Sequence, residues 1–197
     1  VNHLAHALLA GPDDDVLLGS LLGDFWRGAP DPAWPEGVRA GVVLHRKIDV
    51  YTDSHPKVMA ARALFEAPWR RYAGIFIDIY FDHVLAREWP RHADEPLEAF
   101  SARCADLLER HAAWLPADLN RFTRYFRAHG LFAAYAQRAT IEQVLEGISR
   151  RLRHPNPLAQ GGPALWALAD ELDGTFAWFF PDLSAYAHDL RMKLELV

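Results

Sequence analysis

The sequence predicts a single all-α domain, built as a helical bundle. Three observations carry this. Apolar residues recur at helical spacing along nearly the whole chain. Strict strand-length alternation is missing, and β-branched residues are sparse. The breaks are short and rich in Pro, Gly or Asp, as between packed helices. A chain of 197 residues, 51% of them apolar, can bury one sizeable core and needs no second domain. The expected domain therefore runs over residues 1–197.

The elements follow in order. A first helix is predicted over about 2–10. A second covers about 14–25, with Asp13, Asp14 and Asp15 at its positive N-terminal end. "RGAPDPAWPEG" is a loop, and Pro35 suits the first turn of a helix that runs to about Tyr51. "TDSHP" breaks the chain before a short helix through Phe65. Pro68 opens a long helix and Pro90 closes it. Further helices are predicted over 95–113, 117–128, 130–136, 139–152, 163–179 and 182–195.

Charge and composition narrow the function. The net charge of −5 argues against general nucleic-acid binding. Residues 121–154 nevertheless hold Arg121, Arg124, Arg127, Arg138, Arg150, Arg151 and Arg153 against only Glu142 and Glu146. A basic face on an acidic protein points to an acidic partner, and a plain solvated helix face is the competing reading. No stretch approaches the roughly 20 apolar residues that span a bilayer. "VNHLAHALLAGPDDD" has no basic leader region, so no signal peptide is expected. Cys104 is the lone cysteine, which fits a reducing cytoplasm and sits on an amphipathic stretch as a core residue. The aromatic residues of "GTFAWFFPDLSAY" are expected in the core.

Polar residues stand in apolar places. In "GIFIDIYFDHVLAREW", Asp78 and Asp82 lie at i and i+4 on one helix face, and His83 follows. Two buried carboxylates repel, and desolvating even one costs several kcal/mol unless it is paired. A divalent cation would relieve both penalties. Helix caps or distant arginines are the structural alternative. In "GVVLHRKIDVYTDSH", His45, Asp49 and Asp53 form a stripe at i, i+4 and i+8. His45 with Asp49 is a usable metal half-site, or an imidazole oriented by its carboxylate. Asp53, near the helix end, reads better as surface. His3 and His6 share a face of the first helix, and Asp24 ends the run that carries Gly19 and Gly23. Nucleotide loops, nucleophile elbows, Cys-rich zinc patterns and HExxH are missing from the sequence.

The blocks "NHLAHALLA", "LLGSLLGDFWRG", "GVVLHRKIDVYTDSHP", "GIFIDIYFDHVLAREW" and "FFPDL" together resemble the acyl carrier protein phosphodiesterase family. The resemblance runs nearly end to end, and it is most specific in the N-terminal half. It implies an all-helical fold distantly related to HD-type phosphohydrolases. It implies removal of 4′-phosphopantetheine from a serine of acyl carrier protein, with a divalent metal, typically manganese. Asp24, His45, Asp49, Asp78, Asp82 and His83 stand inside matching blocks and are the metal-ligand expectations. "FDH" reverses the usual His–Asp order of the wider superfamily, so no ligand set transfers from there. Mixed oxygen and nitrogen donors suit manganese, with magnesium, iron and zinc also compatible. His6, His45 and His83 compete for the role of general acid at the leaving serine oxygen. Arg27 and Arg46 are phosphate-clamp candidates. Arg124 and Arg127 are candidates for docking the acidic carrier protein. The same metal chemistry on a nucleotide or another small phosphodiester, and a helical binder without turnover, are the alternative functions.

Overall fold

Two glycines let the first long helix pair close. A computed structural model of the chain describes residues 1–194. In it, α1 (His3–Leu9) leads into α2 (Asp14–Leu22), and α3 (Glu36–Ser54) packs against α2. A Cβ on Gly19 would lie 2.0 Å from the Val38 carbonyl oxygen. One on Gly41 would lie 2.2 Å from the Val16 carbonyl oxygen. Any larger residue at either position would force the helices apart. Asp13 caps α2 by accepting from the Val16 N–H, and every residue from Val16 to Leu22 is buried. The predicted second helix thus ends at Leu22, and Gly23–Phe25 form a tighter 3-10 turn.

The rest of the chain wraps around one nearly buried helix. α4 (Pro56–Leu64) precedes α5 (Ala73–Arg87), which contacts α1, α4, α9 (Arg138–Arg151) and α11 (Ala169–Lys193). Between them lie α6 (Leu97–Arg110), α7 (Ala117–His129), α8 (Leu131–Ala134) and α10 (Gly162–Trp166). Among the described residues there is no strand. No helix among them is long and apolar enough to cross a membrane. α7 ends at Gly130 with φ +52°, a left-handed cap that favours glycine.

Two proline expectations change. Pro68 precedes a 3-10 turn over Arg70–Tyr72, and α5 begins only at Ala73. The two helices expected over 163–179 and 182–195 are short α10 and one continuous α11, with Pro181 inside it. Residue 195 lies outside the described residues. Phe176, Phe179, Phe180, Leu183, Ala187 and Leu190 make one buried stripe across Pro181. That burial outweighs the backbone hydrogen bond the proline removes.

The two carboxylates of α5 hold down α1. Asp82 is fully buried, and it accepts from the Leu4 N–H at 2.7 Å and the Ala5 N–H at 3.1 Å. The Asn2 N–H adds a longer contact at 3.3 Å. Asp78 Oδ1 lies 2.6 Å from the backbone nitrogen of Val1. Asn2, at the N-cap, makes no side-chain cap of its own. A side chain about 80 residues away therefore supplies it. Burial pushes Asp82 up to about 6, and the N–H donors pull against that shift. The helix-cap alternative accounts for Asp82, whose oxygens accept from the N–H groups at the start of α1.

Asp82→Ala should strand three N–H groups at the start of α1. The expected loss is at least about 2 kcal/mol of unfolding free energy, read by urea denaturation. A variant as stable as the parent would show that α1 does not depend on this cap.

Candidate metal centre

Four separate elements bring histidines and acids together, in and beside one cleft. α1 contributes His3 and His6, one turn apart. α3 contributes His45, Asp49, Thr52 and Asp53. The turn after α2 contributes Asp24, and α5 contributes Asp78. The His6 and His45 rings stack at 3.7 Å between centroids, 17° from parallel. His6 Nε2 donates to Asp49 Oδ1 at 2.9 Å. His45 Nε2 lies 3.3 Å from Asp49 Oδ2 and 3.4 Å from Asp24 Oδ1. His3 Nδ1 meets the other Asp24 oxygen at 3.1 Å. The result is a chain of contacts, His3–Asp24–His45–Asp49–His6.

Gly23 makes room for this arrangement. A Cβ there would lie 2.3 Å from the His45 ring. The small residue noted in the sequence thus serves the imidazole as well as the helix end.

Electrostatics divide the two stacked imidazoles. Burial and the neighbouring His45 charge push His6 down to about 4. Burial also opposes charge on His45, yet Asp24 and Asp49 outweigh it and raise His45 to about 9. His3 and His45 hold Asp24 ionised well below the usual carboxylate range, against the effect of burial. His45 and His6 do the same for Asp49. The pair therefore carries one positive charge at neutral pH, on His45.

The donor set fits a divalent cation. His6, His45 and Asp49 each offer a ligand atom, and these atoms lie within 4.8 Å of one another. Nδ1 of His6, Nδ1 of His45 and Oγ1 of Thr52 are buried without a hydrogen-bond partner, although such groups are nearly always paired. The cleft beside them has a volume of about 270 Å³ and is lined by Asp24, Asp49, Asp53, Asp78, His6 and Thr52. Four carboxylates around so small a space favour a cation.

The expected residues divide clearly. His6, His45, Asp24 and Asp49 meet in the cluster, and Asp78 faces the same cleft. Asp53 also reaches it, while paired with Arg62. Asp82 caps α1. His83 Nδ1 donates to the Tyr135 carbonyl at 2.8 Å, and its ring packs edge-on against Trp166. It touches none of the clustered residues. Arg46 donates to the carbonyls of Gly28 and Trp26, which staples the 26–34 loop. Arg27 is exposed. Arg127 is held by Asp106 and Glu109, and Arg121 by Asp118. Arg124 has no ion-pair partner among the described residues. The sequence pairs His3 with His6 on one helix face but gives no reason to assign His3 to the site, and Thr52 carries no signal.

Known proteins match this chain along most of its length. A family model described as acyl carrier protein phosphodiesterase matches residues 1–183. The chain belongs to the acyl carrier protein phosphodiesterase family. A relative from Photorhabdus laumondii with that name is 37% identical over 163 residues, covering 82% of this chain and 81% of the relative. One from Yersinia pestis is 34% identical, covering 95% and 97%. One from Serratia proteamaculans is 32% identical, covering 98% and 100%. No solved structure matches the chain.

The cluster makes a pH prediction for metal-free protein. The folded value of His45, about 9, lies above its ordinary 6.5, so its stabilisation is complete below 6.5 and disappears as pH rises through 9. Stability should fall over that window. In Asp24→Asn, His45 should titrate at least about one unit lower by NMR, and the alkaline loss should shrink. An unchanged His45 titration would remove Asp24 from the cluster.

Proposed function

We propose that this protein hydrolyses the phosphodiester linking 4′-phosphopantetheine to a serine of holo-acyl carrier protein, leaving the apo form. The observation that carries the reading is the His6–His45–Asp49 cluster, with its orphaned ring nitrogens, at an acidic cleft in a chain of this family. His6, His45 and Asp49 would hold a divalent metal, with Asp24 beside them and Asp78 across the cleft. Manganese suits these donors best, and magnesium, iron or zinc are compatible. Such an ion supplies a water of lowered pKa and charge stabilisation for the phosphoryl oxygens. A distant kinship with HD-type phosphohydrolases would fit histidines and aspartates presented by helices, and a cytoplasmic site of action would fit the carrier protein as substrate.

The chain's own groups have definite tasks. Asp49 orients both imidazoles. His45 must give up its proton to become a ligand, so loading the site competes with the Asp24 and Asp49 contacts. Asp24 fixes the His3 ring, and His3 is the imidazole we assign to protonate the leaving serine oxygen. Arg124, left free of acidic partners, would meet the acidic carrier protein, whereas Arg127 and Arg121 are already neutralised.

His6→Ala and Asp49→Asn should each lower hydrolysis at least about a hundredfold and abolish stoichiometric manganese binding, with helicity retained. Mass spectrometry of holo-carrier protein reads the activity as loss of the arm, and calorimetry reads the metal. Binding should release about one proton near pH 7, seen as a heat that varies with buffer ionisation. Turnover of small phosphodiesters with intact holo-carrier protein would favour the broader phosphohydrolase reading. Full activity without metal would contradict the proposal.

Arg124→Glu should raise KM for holo-carrier protein about two- to fivefold and flatten its salt dependence, with kcat unchanged. Unaltered KM and salt dependence would make this helix face ordinary solvated surface.

A further inference from the structure

A second cavity adjoins the cleft and differs from it in chemistry. It has a volume of about 550 Å³, within the range of small-molecule sites, and lies between α7 and α9. Its walls include Phe122, Tyr125, Val144 and Ile148. A neighbouring cavity of about 580 Å³ shares Phe122, Tyr125 and Arg151 with it, so the two form one groove. The near end reaches the centre. Asn2 lines both the groove and the acidic cleft, and His3 lines the groove while touching Asp24.

We propose that this groove receives the pantetheine arm of the substrate. The assignment rests on the hydrolase reading above and adds where the departing half of the substrate lies. The arm is an uncharged chain with a branched dimethyl carbon, two amides and a terminal thiol. The acidic cleft cannot desolvate such a chain, because its carboxylates would lose water without a partner. The groove can, since it offers aromatic and aliphatic walls with Gln143 and His129 among its polar groups, and its carboxylate, Glu146, is already paired with Arg150. A phosphodiester at the cleft would leave its arm pointing past Asn2 and His3 into the groove. The His3 ring lies 4.7 Å from that of Phe122, tilted by 49°, which continues the wall from the centre into the groove. Arg151 has no ion-pair partner among the described residues and stands where the two cavities meet. It is exposed, so acidic groups of the carrier protein would meet it there.

Gly147 gives the test. It lines the groove, and a Cβ on it would meet nothing within 4 Å. Gly147→Trp should therefore fold, keep its bound manganese and obstruct the groove. Val144→Trp is a second obstruction from the same helix. Free pantetheine, titrated into the manganese-loaded protein, should shift the NMR signals of Gln143, Val144 and Ile148. The tryptophan variants should abolish those shifts and raise KM for holo-carrier protein at least tenfold. Absence of pantetheine shifts in the parent protein would overturn the proposal, even if Gly147→Trp impairs hydrolysis, because the groove would then dock carrier protein surface. An unaltered KM in both tryptophan variants would also overturn it. If the parent protein leaves holo-carrier protein intact yet binds pantetheine here, the hydrolase reading fails and the arm site stands.

Discussion

The centre depends on a helix cap supplied from the far side of the sequence. α1 has seven residues, too few to persist alone in water. Its first N–H groups are satisfied by Asp82, buried in the middle of α5. Burying that carboxylate is costly, and the cost is met by charge-assisted bonds to backbone donors at a positive helix end. Once α1 is pinned, His3 and His6 have fixed positions over α3. The stack of His6 on His45 is therefore set by an aspartate that never touches either ring.

The remaining constraint is shared charge. Two imidazoles in face-to-face contact cannot both be cationic, and two carboxylates flank them. Asp24 and Asp49 settle the division by holding the extra proton on His45. A divalent ion would take over the role of that proton and use ring nitrogens and carboxylate oxygens already converged. Gly23, Gly19 and Gly41 belong to the same design, because each removes a methyl that would push α2, α3 or His45 out of register. The acidic cleft and the mixed aromatic and polar groove then meet at Asn2, beside His3, which would suit a substrate with a charged centre and an amphipathic arm.

Much of this was legible from residue order. Helical periodicity located the helices, and the pairs His45/Asp49 and Asp78/Asp82 were visible as shared faces. What those faces met was not legible. The i, i+4 spacing of Asp78 and Asp82 is the same for a metal ligand and for a cap, and only α1 packing against α5 decides between them. His83 neighbours Asp82 in sequence, yet the helical quarter turn sends it toward Tyr135 and Trp166. Arg46 sits one residue from His45 and turns away to staple a loop. Pro181 signalled a break that a continuous buried stripe overrode. The basic segment looked uniform as sequence, whereas Asp106, Glu109 and Asp118 pair with two of its arginines, Arg127 and Arg121, in space.

The most direct measurement is a crystal structure of manganese-soaked protein, with anomalous scattering recorded at the manganese edge. The account predicts a peak bonded to His6, His45 and Asp49, with Asp82 still capping α1. A peak coordinated by Asp82 or His83, or no peak at the His6–His45–Asp49 cluster in active protein, would contradict it.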